Sequence, residues 1–497
     1  MASGARAVSL AVAGLVAAPL AALALQSGLT LRAADGAALR FTVTQAALSA
    51  LISCALAVPL ARALMRRRFP GRGLLLTALG APFLLPTVVA VLGIITVYGR
   101  SGWFSTAQGQ PLPLYGLTGV LLANVFFNLS LATRILCQGW HRIPSEHLRL
   151  AASLNLPPWS RFRHVEAPML RAFLPGALLA VFLICLNSFV IALTLGGGPG
   201  ATTVELAIYQ ALRFDFDPGH AAALAMVQAG LASVAVLVAA RFALPEPGAG
   251  LDLPAPPQRQ GRLVDGLVIG AASVFLALPL AAVLIEGLPA LASLPAQVWP
   301  AAGRSVATAL ASAALAVLAA LPLSLAAARG SRWAELSAMW PMVASGLVLG
   351  TGWFLILRPL VRPEEVALPV TMLANALMAL PFVTRMLLPE VRRLLLDYDR
   401  LARALGLRGL ARLRYLTLPR LSRPLGLGAG IAAALSMGDL GTIALFADQT
   451  QATLPLVIQR LAGAYRMEAA AGAALVLVTL SFALFALFDL GGRHGAK

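Results

Sequence analysis

A constant shift of 251 residues aligns Leu122 to Leu174 with Leu373 to Leu425 without a gap, and 18 of the 53 positions are identical. The paired stretches open on LANVFFNLSLATRIL at Leu122 and LANALMALPFVTRML at Leu373. They run on through basic polar segments, RLAASLNLPPWSRFRHVEAPML from Arg149 and RLARALGLRGLARLRYLTLPRL from Arg400. Periods of 20 to 50 residues make solenoids; a period near 250 means two fused homologous halves. Whatever one half does with its basic segment, the chain does twice.

At 59% hydrophobic and 12% charged residues, with a mean hydropathy of +0.84, the chain has more apolar surface than any water-soluble core can hide. It reads as an all-α integral membrane protein, because only a helix satisfies its own backbone polar groups in lipid and about 20 apolar residues cross the hydrocarbon. Twelve runs meet that length. Those of the first half are Val8 to Gln26, Phe41 to Met65, Leu74 to Tyr98, Gly116 to Cys137, Phe173 to Leu195 and His220 to Phe242. Those of the second are Leu263 to Ile285, Ser305 to Ala328, Leu336 to Leu357, Pro369 to Leu388, Pro424 to Phe446 and Ala469 to Leu490. The expected organisation is a first half over 1–242 (core 41–242), a linker over 243–262 and a second half over 263–497 (core 303–490), forming two pseudo-symmetric repeats.

Arg and Lys in short loops are retained on the cytoplasmic side. With the N-terminus inside, the inner segments hold 29 of the 38 Arg and Lys, so both basic loops, 138–172 and 389–423, and both termini are expected in the cytoplasm. The net charge of +18 is then a topology and headgroup signal, not the footprint of a nucleic-acid partner. The first run is longer than a signal-peptide core and reads as an uncleaved helix. PEPGAGLDLPAPPQ, from Pro245, cannot continue a helix and reads as a cytoplasmic linker.

No phosphate-cradling loop ending in Gly-Lys-Ser/Thr is present, and the one lysine is Lys497. GGGPG at Gly196 lacks a following Lys and reads as a turn. An ATPase, if ATP drives this protein, is a separate subunit. The outer loops are too short to form a receptor domain, so a receptor is separate too. The five histidines lack metal spacing, and Cys54, Cys137 and Cys185 fall in apolar runs as buried small hydrophobes. No catalytic residue, cofactor or metal site is expected.

Each basic loop carries a short helical stretch, Ser145 to Leu154 and Asp397 to Leu405. Ser145 and Asp397 suit N-caps, and Glu146 and Asp399 suit the positive helix end. Each stretch stops at a residue tolerant of left-handed backbone, Asn155 or Gly406, so the chain turns sharply at equivalent points. Pro168 and Pro419 mark re-entry to the membrane. The pattern resembles the E-A-A, three residues, Gly, Leu-Pro motif of type I ABC importer permeases, with Leu150, Ala151 and Asn155 in one copy and Leu401, Ala402, Gly406, Leu418 and Pro419 in the other.

In that family the helix before the Gly lodges in a cleft of the ATPase. The resemblance therefore implies ATPase coupling through Ser145, Glu146, Arg149, Leu150, Ala151, Leu154 and Asn155, and through Asp397, Arg400, Leu401, Ala402, Leu405 and Gly406. The motif's Glu is Arg149 and Arg400 here, so its salt bridge cannot form. The bland alternative is a basic amphipathic helix resting on headgroups. TLGGGPGATTVELAIYQAL (Thr194 to Leu212) and SMGDLGTIALFADQTQATLPLVIQRLA (Ser436 to Ala462) resemble the fused thiamine and thiamine pyrophosphate permeases of Gram-negative bacteria. The resemblance implies an inner-membrane importer served by two copies of an ABC ATPase and a periplasmic substrate-binding protein. Ferric iron permeases share this layout, and an ion-driven transporter is the rival of another class.

Charge at membrane depth costs about 2.5 to 3.5 kcal/mol for Asp and normally faces a cavity or a partner. Asp439 lies deep in its run, between Gly438 and Gly441, and the matching place in the first half offers Asn187 and Ser188. These three either line the translocation path, Asp439 accommodating a cation such as thiamine, or make structural hydrogen bonds between helices. Asn124 and Asn375 occupy equivalent positions and are expected to bond across the pseudo-two-fold interface. Pro82 and Pro86 are expected to break a helix ladder.

Overall fold

The computed structural model describes residues 2–27, 31–79, 85–110, 112–241, 261–448 and 450–494. The first copy comprises α1 (Ala2–Gln26), α2 (Ala33–Arg66), α3 (Arg72–Ala78), α4 (Thr87–Tyr98), α5 (Leu117–His141), α6 (Ser145–Ser153), α7 (Ala167–Leu186), α8 (Phe189–Leu195), α9 (Val204–Arg213) and α10 (Pro218–Ala240). The second comprises α11 (Arg262–Ala290), α12 (Val298–Ala328), α13 (Arg332–Met339), α14 (Gly346–Leu357), α15 (Ala367–Ala404), α16 (Leu418–Met437), α17 (Gly441–Phe446), α18 (Leu454–Gly463) and α19 (Met467–His494). Among the described residues eleven helices are long and apolar enough to cross a membrane, or twelve if Arg332–Met342 and Gly346–Leu357, bent by 92°, form one span. The expected linker lies almost wholly outside the described residues, as does Pro82; Pro86 is the N-cap of α4 and so starts a helix, not a kink within one.

The first helix of each copy reaches across to the other. α1 packs on α12, α13 and α14 as well as α10, and α11 packs on α2 and α4 as well as α19. The crossings are equivalent: Gly352 sits against Pro19 and Gly93 against Pro279, both too closely to admit a Cβ. Small residues let helix backbones approach in lipid, where packing takes the place of a hydrophobic drive. The largest buried cluster accordingly draws Val16 and Leu23 of α1 together with Val348, Leu380 and Ile443 of the second copy.

Among the expected uninterrupted spans, two are broken at equivalent points of the two copies. Phe173 to Leu195 is split into α7 and α8 at Asn187 and Ser188, and Pro424 to Phe446 into α16 and α17 at Gly438, Asp439 and Leu440. The 251-residue shift superimposes the two breaks. α15, by contrast, is longer than expected. Its 38 residues span about 57 Å at 1.5 Å each, roughly twice the hydrocarbon thickness, so its end projects clear of the membrane.

Candidate functional site

Two features recur in both copies: a sharp elbow at the basic end and a broken helix midway. At the first elbow, α6 ends with Leu156 N–H donating to Ala151 O (3.1 Å) and Asn155 N–H to Ala152 O (3.1 Å). At the second, Leu407 N–H donates to Ala402 O (2.9 Å) and Gly406 N–H to Arg403 O (3.1 Å). Both are Schellman turns, and the turning residues have the left-handed φ they demand, 46° at Asn155 and 67° at Gly406. Ala151 and Ala402 are 4% and 1% exposed, so a small side chain is what fits beneath each turn.

Around them the apolar residues face outward. Leu150 and Leu154 are 58% and 62% exposed, and Leu401 and Leu405 53% and 65%. Positions i and i+4 share one helix face, so each elbow presents a leucine pair beside exposed Arg149 or Arg400. Glu146 and Asp397 are exposed on the same segments, whereas Ser145 is buried. Arg62 near the end of α2 pairs with Glu166 behind the first elbow, and Leu413 behind the second lines a cavity with Arg6 at the start of α1, so both elbows lie at the end where α1 begins and α2 stops. Arg67 at the end of α2 pairs with Asp265 at the start of α11, and Arg6 at the start of α1 shares a cavity with Arg329 at the end of α12.

The expected N-caps are not where local chemistry suggested. Pro144, not Ser145, is the N-cap of α6, because proline has no N–H to donate and pushes the preceding residue out of the helical region. Asp397 caps nothing, since α15 runs through it to Ala404. The residue matching Pro144 is Leu395, which lets the helix continue. After each elbow a five-residue π-turn, Phe162–Glu166 or Leu413–Thr417, leads back into the long helix that starts with Pro168 or Pro419 near its first turn. Arg412 anchors the second elbow to its π-turn through Asp399 (2.6 Å); the matching Arg161 faces Glu166 (3.9 Å), which is held by Arg62 (2.5 Å).

At the breaks, carbonyls freed by the interrupted helix need new donors, because lipid supplies none. Gln45 Nε2 of α2 donates to Cys185 O (2.7 Å), and Gln228 Nε2 of α10 donates to Leu186 O (3.0 Å) and Asn187 Oδ1 (3.3 Å). Asn124 Nδ2 in turn donates to Gln45 Oε1 (2.8 Å). In the second copy Asn375 Nδ2 donates to Ser436 Oγ (3.0 Å), which donates to Ser312 Oγ (3.2 Å). Asn124 and Asn375 therefore brace their own copies and do not bond across the pseudo-two-fold, because the broken helix beside each is the nearer unsatisfied partner.

Asp439 Oδ1 accepts Gly441 N–H (3.2 Å) at the start of α17, while its Oδ2 is buried with no hydrogen-bond partner among the described residues. The two breaks meet. A Cβ on Gly441 would lie 4.0 Å from the Phe189 ring and 3.7 Å from Asp439 Oδ1. Phe189 stacks edge-to-face on Tyr209 (5.3 Å), and Glu205 of α9, 2% exposed, has the Phe189 amide and the Ser345 hydroxyl as its polar neighbours. Asn187 is exposed and Ser188 buried at the same level. The centre thus gathers two carboxylates and two aromatic rings, a setting that favours a cation. Glu205 was not singled out in the sequence; the signal was an acid within TTVELAIYQAL, an otherwise apolar stretch with a threonine cap at Thr203.

Residues 51–244 match the model of the family described as binding-protein-dependent transport system inner membrane component. The thiamine transport system permease protein ThiP of Brucella abortus is 41% identical over 470 residues, covering 90% of this chain and 86% of that protein. ThiP of Salmonella typhimurium is 41% identical over 478 residues, 92% of this chain and 89% of its own. The Haemophilus influenzae ThiP is 34% identical over 471 residues, 90% and 87%.

Proposed function

The chain belongs to the family of binding-protein-dependent inner-membrane permeases of ABC importers, in its fused two-copy form, and on that premise we propose how it moves thiamine inward. Proteins of this family work with an ATPase and a substrate-binding protein, and the permease itself is a multi-pass translocation subunit. The relatives named above are thiamine permeases, which leaves the ferric-iron alternative without support. An ion-driven mechanism likewise gives way to the family's use of ATP.

The two elbows take one copy each of a cytoplasmic ATPase, with both termini on the same side. The observation that carries this is the matched pair of Schellman turns presenting exposed leucines at one end. Burying a leucine is worth about 1.5 to 3 kcal/mol, so four of them supply an apolar grip that does not need the Glu replaced by Arg149 and Arg400. Closure of the ATPases on ATP draws the elbows together and tips the two copies between inward-open and outward-open states. A ligand shifts such an equilibrium only by binding one state better than the other; ATP does so here through the docking segments. The division into halves over 1–242 and 263–497 gives each elbow its own lever.

Thiamine carries a permanent positive charge, delivered from a periplasmic receptor to the outer face. Asp439, Asn187 and Ser188, with Glu205, border the path where the breaks meet. The test is reconstitution with the ATPase and receptor in proteoliposomes. Thiamine-loaded receptor is expected to stimulate ATP hydrolysis and uptake together, and stimulation by ferric iron alone would overturn the substrate assignment. Asp439→Asn is expected to lower uptake at least tenfold with normal complex yield; unchanged uptake removes Asp439 from the path.

A further inference from the structure

The pseudo-symmetry of the two copies exposes one place where charge is left unbalanced. Superimposing the Pro19 crossing on the Pro279 crossing is a shift of 260 residues, which sets Ala5 and Arg6 of α1 on Asp265 and Gly266 of α11. Arg67, the C-cap of α2, pairs there with Asp265 at 2.6 Å, both side chains nearly buried. The matching C-cap of α12 is Arg329. Where the first site offers it an acid, the second has Ala5 at the matching position with the like charge of Arg6 beside it, and among the described residues neither Arg6 nor Arg329 forms an ion pair.

The consequence is visible in the packing. Arg6 and Arg329 line a cavity of about 1300 Å³ between α1, α12 and α13, whose walls are otherwise almost entirely apolar, among them Leu10 and Leu318. Trp333 and Trp340 flank it at the basic end, where indole rings sit among headgroups. Two cations over a greasy slot at the membrane boundary lack one component, an anion with hydrocarbon attached.

We propose that this crevice binds an anionic phospholipid, its phosphate bridging Arg6 and Arg329 and its acyl chains lying on α1 and α12. The lipid takes the place of the carboxylate that Asp265 supplies on the other side. Leu413, the first residue of the second π-turn, lines the same cavity, and Arg329 is within electrostatic reach of Asp399. The bound lipid therefore touches the π-turn behind the second elbow and no part of the first copy's elbow or π-turn. The site stands on charge and cavity alone, whether or not the elbows hold an ATPase.

The test is native mass spectrometry of the purified full-length chain titrated with phosphatidylglycerol or phosphatidylcholine. One phosphatidylglycerol is expected to bind at least tenfold more tightly than phosphatidylcholine, and Arg6→Gln or Arg329→Gln to abolish that preference. Ala5→Asp with Arg6→Gln sets an acid at the position matching Asp265 and is expected to release the lipid without loss of thermal stability, while Arg358→Gln, outside the cavity lining, changes nothing. With the unaltered chain, a photoactivatable phosphatidylglycerol is expected to label α1, α12 or α13. Equal retention of both lipids, a preference that survives Arg6→Gln and Arg329→Gln, or labelling confined elsewhere overturns the proposal.

Discussion

The first elbow hangs from its span through a proline hinge, whereas the second is the unbroken end of a 38-residue helix. One residue accounts for the difference: Pro144 ends the helical ladder where Leu395 continues it. Beyond that point the two are alike, with the same pair of turn hydrogen bonds, the same buried alanine and the same outward leucines. Their anchors differ again. Asp399 ties the second elbow to Arg412, but the matching Leu148 leaves Arg161 to Glu166 on the following π-turn. On the proposed docking role, two like tips are thus mounted on unequal levers, one jointed and one stiff, and a push at the second would reach the middle of the membrane with less lost at the joint.

The largest effect is expected from equalising the levers. Leu395→Pro places a proline in a helix interior, at about 3 kcal/mol or more, and is expected to sever transport from ATP hydrolysis while the ATPase still binds. Transport and hydrolysis that fall in step would mean that stiffness does not matter. Next, Gly406→Val forces a branched side chain into left-handed backbone, costing about 1 to 3 kcal/mol. Co-purification of the ATPase should drop sharply, and normal yield would count against the turn. Asp399→Ala removes a partly exposed ion pair worth up to about 1 kcal/mol. It should raise protease cleavage after the second elbow only. Smallest is Asn155→Gly, a gain under about 1 kcal/mol because easier left-handed backbone is offset by greater freedom when unfolded. Melting of the complex would register it.

The elbows were legible because a Schellman turn is local: it needs one residue tolerant of positive φ and one small neighbour, and Asn155, Gly406, Ala151 and Ala402 announce both. Capping was misread at Asp397 for the same reason in reverse. A good cap residue says nothing where the preceding turn has no cause to stop. The hinge at Pro144 was readable, and outweighs the hydroxyl of Ser145. The broken helices were hidden. Hydropathy sees Phe173 to Leu195 as one run because the donors that stabilise the break, Gln45 and Gln228, come from helices 140 and 42 residues away in sequence. Glu205 was hidden likewise, its neighbours Phe189 and Ser345 being brought together only by packing between the copies.

The central claim, that force enters through both elbows from one face, is tested most directly by single cysteines at Leu154 and Leu405 in a chain whose native Cys54, Cys137 and Cys185 are buried. In intact cells both are expected to cross-link to the ATPase subunit and to resist a membrane-impermeant thiol reagent added outside. Labelling of either cysteine from outside, with no cross-link to the ATPase, would contradict the account.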